Sequence, residues 1–473
     1  MTNTMKYLIL SSFFFLTFLV APDLSAQEWS IEVVADGYQG DAIYLAYYLG
    51  NSQYIQDTAQ RDQNKFRFSG TGTLHSGVYM VVFPPDNQFF QLLIADGEEQ
   101  IVVKVNMEDV QHPYFLRGSK ESKLFYEYVG YLQSKRPLAD TLRKAVEKTE
   151  DADAKKKLRE EARVIDAEVK NYQSEILDKH PETLTALLIR SHLETEAPEF
   201  QGTDEEIQMQ TYRFVKAHYF DKLPMMDERL VRTPVLHQKI EYFVNKLTPQ
   251  VPDSINQSLD FILSQFDPTS EAFKIYLVYF LNQYAKSKIV GMDAVYVHLV
   301  ENYYAKDLAT WTDSLQLNKI IRNAETLKPL LIGKIAPDLL MLTRDNKPIR
   351  LHNISSPYTV LFFWDPDCGH CKKSMPDVIE FYKTYKPRGV EIFSVCTRLQ
   401  DDVPKCWESI DEQDMGTWIN VVDPYLRSRF KQIYDVRTTP QIYILDKDKK
   451  IIMKKIGAEQ LPEVMDRLME NGS

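Results

Sequence analysis

Apolar and polar positions follow three rhythms along this chain, and each predicts a different kind of element. From residue 28 to about residue 110, short apolar runs at 42–49, 66–69, 78–83, 89–95 and 100–105 are rich in Val, Ile, Tyr and Phe. Turn formers separate them: Asp36-Gly37, Pro84-Pro85-Asp86-Asn87 and Asp96-Gly97. Strands at this spacing predict a small all-β module, an all-β sandwich being expected over a barrel. No catalytic constellation falls there, so the region reads as a binding or spacer module.

From Ser119 the rhythm becomes helical. Leu158, Ala162, Ile165, Val169, Tyr172 and Ile176 line one helix face, and Leu138, Leu142 and Ala145 do the same upstream. The pattern breaks over 149–157, which predicts two antiparallel helices rather than one rod. Helical segments continue to about Leu327, punctuated by Thr233-Pro234, Thr248-Pro249 and Val251-Pro252. This is an α-helical domain whose Tyr and Phe residues are expected in its core. His218, His237 and His298 lack metal-ligand spacing and read as structural.

Pro329, Gly333 and Pro337 mark a linker into the third rhythm, in which strands and helices alternate. Strands are expected at 339–342, 348–351, 358–363, 390–395 and 418–422, with a hairpin at 441–455. Helices are expected from Cys368, then at 403–412, 425–434 and 460–471. Met375, Val378, Ile379 and Tyr382 give the first helix one apolar face; Leu461, Val464, Met465 and Leu468 give the last its own. Such alternation predicts a partly parallel sheet covered on both faces. The predicted organisation is a leader (1–26), a β-sandwich-like domain (27–118), an α-helical domain (119–328) and an α/β domain (329–473).

The leader has a physical basis. Lys6 precedes an apolar stretch, 7–21, and Leu24-Ser25-Ala26 offers a small residue for cleavage. That stretch is shorter than the ~20 residues a spanning helix needs, so a cleavable signal peptide and a place in the periplasm or cell envelope are expected. The first cysteine is Cys368, which leaves no residue for an N-terminal lipid. The apolar run 275–281 is too short to cross a bilayer, so no integral span is expected after cleavage. A net charge of −11 argues against nucleic acid and anionic membrane surfaces as partners.

The four cysteines all lie in the last domain. Cys368 and Cys371 sit where the strand 358–363 meets a helix, in Trp364-Asp365-Pro366-Asp367-Cys368-Gly369-His370-Cys371. Unpaired N–H groups and the helix dipole at that end stabilise a thiolate, the attacking species in thiol–disulfide exchange. Asp365 and Asp367 read as a polar loop and helix cap. Cys396 and Cys406 read as two packed thiols rather than a second disulfide or a relay. No second cysteine pair at ligand spacing exists for zinc, so no metal or cofactor is expected beyond the redox-active disulfide.

About residues 331–473 resemble the thioredoxin fold and, within it, the exported TlpA/ResA-like thiol–disulfide oxidoreductases. The resemblance rests on Phe363-Trp364 before Cys368 and Cys371, Pro376 in the following helix, Thr439-Pro440 opening a later strand, Gly457, and the opening Gly333-Lys334-Ile335-Ala336-Pro337-Asp338. It implies that Cys368 attacks a substrate disulfide and Cys371 resolves the mixed disulfide. It implies that Gly369 and His370 tune the pair, an imidazolium at His370 favouring the thiolate, and that Trp364 packs beside the site. It implies that Thr439 and a cis Pro440 align an extended substrate strand.

Two positions depart from the pattern: Phe362 stands where thioredoxin has a buried Asp, and Ser374 where ResA-like proteins have a Glu. Cys-Gly-His-Cys is also the tetrapeptide of protein disulfide isomerase, whose potential of about −180 mV favours oxidation or isomerisation. The resemblance itself implies reduction. Expected partners are cysteine-containing envelope proteins and an upstream electron donor or acceptor. Two other functions compete. A peroxiredoxin-like antioxidant enzyme would require a Pro-x-x-x-Thr-x-x-Cys loop, absent here. A non-catalytic envelope binding protein would carry a vestigial dithiol.

Overall fold

Strand β1 (Glu28–Asp36) shows how the first module is built. Its Trp29, Ile31, Val33 and Ala35 are buried, and it pairs antiparallel with β4 (Lys65–Thr71) and parallel with β7 (Gln100–Asn106). Ile31 thereby meets Phe68 on one side and Ile101 on the other, joining cross-strand apolar pairs into one core. With β2 (Ala42–Leu49), β3 (Ser52–Asp62), β5 (Gly77–Phe83), β6 (Gln88–Ile94) and β8 (Tyr114–Arg117), the order is β6-β5-β2-β3-β4-β1-β7-β8. The computed structural model describes residues 28–471, so the leader expected at 1–26 lies outside the described residues.

Helices α1 (Lys120–Lys148) and α2 (Ala152–Lys179) are antiparallel, as the apolar stripe predicts. The rings of Tyr131 and Tyr172 lie 4.2 Å apart, and Lys135 pairs with Glu168 at 2.6 Å. The pair groups with the sheet, not with the later helices: the first compact unit runs to Ile189 and the second starts at Arg190, with the turn Leu49–Ser52 assigned to the second. The reason is local. Ser122 Oγ donates to the Leu93 carbonyl and accepts from the Leu93 N–H, and the Tyr126 hydroxyl donates to the Gln91 carbonyl. A boundary at residue 118 therefore falls between two elements that are hydrogen-bonded together.

Helix α3 (Leu184–His192) closes the first unit, and the second carries α4 (Asp204–Ala217), α5 (Pro234–Lys246), α6 (Pro252–Ser264), α7 (Glu271–Ala285), α8 (Asp293–Leu299) and α9 (Ser314–Leu327). The expected aromatic core is present: Tyr276, Leu277 and Phe280 are fully buried. His218 and His298 bind Asp221 and Asp260, as side chains with structural partners do.

The α/β domain follows as β9 (Leu340–Leu342), β10 (Pro348–Arg350), β11 (Tyr358–Trp364), α10 (Gly369–Tyr385), β12 (Val390–Cys396), α11 (Val403–Glu412), β13 (Ile419–Val422), α12 (Phe430–Ile433), β14 (Gln441–Leu445), β15 (Ile451–Lys454) and α13 (Leu461–Asn471). The sheet order is β10-β9-β13-β12-β11-β14-β15. Strand β11 is central, parallel to β12 and antiparallel to β14. Its side chains alternate between two cores. Val360, Phe362 and Trp364 face α10 and α13, while Leu361 and Phe363 face Phe430 and Tyr434.

One expectation fails here. A helix was expected over 425–434, but only Phe430–Ile433 is helical. The Asp423 carboxylate instead accepts from the N–H groups of Arg427 and Ser428, fixing a turn before the helix begins.

Lys454 ties this sheet to the helices before it. Its side chain is 2% exposed, and its ammonium donates to the Leu330 carbonyl and pairs with Asp293, the first residue of α8. Burial holds the ammonium pKa down, the carboxylate opposing. Removing one partner of a buried pair strands the other charge, at about 3–5 kcal/mol. Lys454→Met is expected to lower the urea midpoint accordingly, and Asp293→Asn to shift it the same way. Midpoints unchanged in both variants would show that the pair does not hold these elements together.

Candidate active site

The end of β11 places the dithiol. Cys368 is the N-cap of α10, a role usually filled by Ser, Thr, Asp or Asn. The Cys371 N–H donates to Cys368 Sγ at 3.2 Å, and the Cys368 thiol donates to the Thr439 carbonyl at 3.2 Å. Cys368 is half-buried; Cys371 is 1% exposed. Both are free thiols.

The two thiols differ electrostatically. Burial pushes Cys368 upward, but hydrogen bonding with the Cys371 thiol and the Thr439 side chain, and the N–H groups of Cys371 and His370, outweigh it. The net pKa lies below the ordinary 9.0. Burial first, then the bond with Cys368, pushes Cys371 up to about 12. At neutral pH the outer sulfur is the better nucleophile, while the inner one holds its proton.

The other predicted residues fall as follows. Thr439-Pro440 is a cis peptide, brought beside the dithiol because Gln441 pairs with Phe363 in the sheet. Trp364 is buried in the apolar cluster that holds Cys371 and borders Cys368, and its indole N–H has no partner among the described residues. The His370 side chain is exposed, and its backbone N–H is among the groups that lower the Cys368 pKa. Gly369 faces open space, where a Cβ would meet nothing. Pro376 lies within α10. Phe362 is fully buried and Ser374 half-buried, so neither position offers an acid to Cys371.

Cys396 and Cys406 are not two packed thiols: they form a disulfide joining the end of β12 to α11. Both are buried, so outside thiols do not reach it. Its neighbour Arg398 was missed at the level of sequence. The guanidinium pairs with Asp365 at 2.8 Å and Asp367 at 2.5 Å. Those acids are thus more than a polar loop. Asp365 accepts from the Asp367 N–H, its carbonyl accepts from the Cys368 N–H, and its own N–H favours the Cys371 thiolate. Two acids flanking a proline beside a dithiol were the signal that a cation had to be near.

Residues 332–454 match the AhpC/TSA family, and residues 165–328 match a domain of unknown function, DUF5106. The thiol-disulfide oxidoreductase ResA of Bacillus cereus is 29% identical over 139 residues, which is 29% of this chain and 77% of that protein. ResA of Bacillus subtilis is 25% identical over 128 residues, 26% of this chain and 67% of that protein. The last domain is thus a thioredoxin-fold domain of AhpC/TSA type whose curated homologues are ResA-like thiol–disulfide oxidoreductases. A solved domain of a possible thiol-disulfide isomerase from Cytophaga hutchinsonii is 34% identical, covering 30% of this chain and 96% of that one, with a TM-score of 0.29. A thioredoxin-like protein from Bacteroides caccae, 16% identical, covers 58% of this chain and 98% of that one, with a TM-score of 0.43.

In this ResA-like domain, thiolate fraction rises with pH through the pKa, so alkylation by iodoacetamide reports each thiol. Cys368 is expected to reach half its maximal rate below pH 9.0, and Cys371 only towards pH 12. Arg398→Ala leaves Asp365 and Asp367 unneutralised beside the dithiol, and like charge raises a thiol pKa. The Cys368 midpoint should move up in Arg398→Ala and stay low in Arg398→Lys. An unmoved midpoint in a folded Arg398→Ala protein would reduce Arg398 to a structural prop.

Proposed function

We propose that the chain is an exported thiol–disulfide oxidoreductase that exchanges the Cys368–Cys371 disulfide with cysteines of envelope proteins. The observation that carries this is the asymmetry of the pair: a half-exposed sulfur with a lowered pKa, its buried partner held at about 12. The Cys368 thiolate attacks a substrate disulfide, forms a mixed disulfide and releases one substrate thiolate. Cys371, on losing its proton, attacks Cys368 Sγ, closes the intramolecular disulfide and releases the second substrate thiol. Two electrons pass to the substrate, and an upstream thiol donor returns them. Run backwards, the same steps oxidise a dithiol. Stabilising the Cys368 thiolate stabilises the reduced form, which makes the disulfide more oxidising.

Export rests on the leader read at 1–26, and among the described residues no helix is long and apolar enough to cross a membrane. The upstream modules serve in this reading as a β-rich spacer with its helical pair, to Ile189, and a helical platform from Arg190 to about residue 328. The AhpC/TSA match favours a second reading, a peroxiredoxin-like enzyme. Against it, Cys368 follows Asp365-Pro366-Asp367 rather than the peroxidatic loop, and its partner is three residues away.

Cys371→Ser is expected to accumulate a mixed disulfide between Cys368 and envelope proteins, visible on non-reducing gels, and Cys368→Ser none. Equal trapping by both variants, or by neither, would sink the proposal. Peroxide consumption by a purified protein that traps nothing would favour the peroxidase.

A further inference from the structure

The loop that enters Thr439-Pro440 also forms one wall of a cavity. Asp435 and Arg437 line it from the thioredoxin-like domain together with Lys455, and Tyr284, Tyr296 and Asn323 line it from the helices. Its volume is about 410 Å³. A second cavity, about 290 Å³, adjoins it and shares Ala285, Tyr296 and Asn323. Trp311, Gln316 and Lys319 extend the lining there. Both volumes are of the order of ligand sites.

Placement links these cavities to the dithiol. The Thr439 carbonyl accepts from the Cys368 thiol at 3.2 Å. Arg437 is two residues earlier, so its backbone lies within about 7 Å of Thr439 even at full extension. The Lys454–Asp293 pair fixes the facing wall, because Asp293 begins α8 and itself lines the larger cavity. The two walls therefore keep one spacing.

The lining says what would fit. Tyr and Trp rings offer flat apolar faces, and the side-chain amides of Asn323 and Gln316 can pair with a peptide backbone in either sense. The charge is also selective. Asp435 is paired with Arg437 and Asp293 with Lys454, whereas Lys319 and Lys455 have no carboxylate partner among the described residues. In a chain of net charge −11 this is a local excess of cations.

Building on the oxidoreductase reading, we infer that these adjoining cavities hold an extended, acidic segment of the substrate polypeptide, about three to five residues from its reacting cysteine at ~3.3 Å per residue. The helices matched by the domain of unknown function then supply a substrate wall for the redox site. The dithiol supplies the chemistry and the cavities supply the choice of partner.

The test compares three disulfides with the full mature chain: a peptide whose cysteine is flanked by Asp and Glu, the same peptide with Lys flanks, and neutral hydroxyethyl disulfide. The wild type is expected to show the lowest KM for the acidic peptide. Lys319→Glu with Lys455→Glu should raise that KM about tenfold, a loss of about 1.4 kcal/mol, and improve the basic peptide. Ala285→Trp, an exposed position at the junction of the cavities, should raise KM for both peptides. Hydroxyethyl disulfide should turn over unchanged in every variant. Unchanged peptide KM values, or equal losses on all three disulfides, would overturn the site. A wild type that exchanges with none of the three would instead sink the oxidoreductase reading, and the site with it.

Discussion

The site depends on one hydrogen bond, from the Cys371 N–H to the sulfur of Cys368. A helix leaves its first N–H groups without internal partners, and a side chain normally fills the gap. Here the filler is a sulfur, so the need that terminates α10 is the need that stabilises a thiolate. The same turn carries Cys371 inward, where burial protects its proton. One backbone geometry thus makes two chemically distinct thiols out of one residue type. It works only because β11 ends where it does, with Phe363 held in register against Gln441 so that the Thr439 carbonyl reaches the outer sulfur.

That end of the sheet is held by more than its own ladder. Trp364 pairs in register with Cys396, and the Trp364 carbonyl accepts from the Thr397 N–H at 2.9 Å. Cys396 is covalently joined to α11, ten residues on. Closing a loop of that size contributes about 2–3 kcal/mol by restricting the unfolded chain. Arg398 then reaches back from this anchored strand end to Asp365 and Asp367. Two carboxylates beside a dithiol oppose thiolate formation, and the guanidinium offsets them. The buried disulfide therefore belongs to the site through position rather than through electron transfer.

Much of this was legible in the sequence for physical reasons. Strands buried on both faces, such as β11, read as continuous apolar runs, and α2 declared its face through Ile165 and Ile176. Strand β3 was silent because of its side chains only Ala59 is fully buried, leaving no alternation to read. The helix expected at 425–434 dissolved because Asp423 offered its neighbours a competing turn. The grouping of α1 with the sheet turned on Ser122 and Tyr126, polar side chains that carry no periodic signal. Cys368, Cys371 and Pro440 were found through spacing, whereas Arg398, the Cys396–Cys406 bond and the Lys454–Asp293 pair are long-range contacts that no local pattern encodes.

The missing acids at Phe362 and Ser374 leave a question about how Cys371 loses its proton, and the causes of its high pKa supply an answer. Burial is the largest, but two others, the hydrogen bond with Cys368 and the charge of Cys368, come from the neighbouring sulfur. Both act only while Cys368 is free. Once Cys368 is bound in a mixed disulfide, it carries no charge and offers no thiol hydrogen bond. What then remains is burial, opposed by Thr439 and by the Asp365 N–H, both of which favour the Cys371 thiolate. In the proposed exchange the Cys371 pKa would therefore be lower at the step that needs it as a nucleophile, and the departing substrate thiolate is a base able to take its proton. Formation of the intermediate thus prepares its own resolution. This accounts for a dithiol without a dedicated acid, and for the firm hold of Arg398 on the loop that supplies the Asp365 N–H.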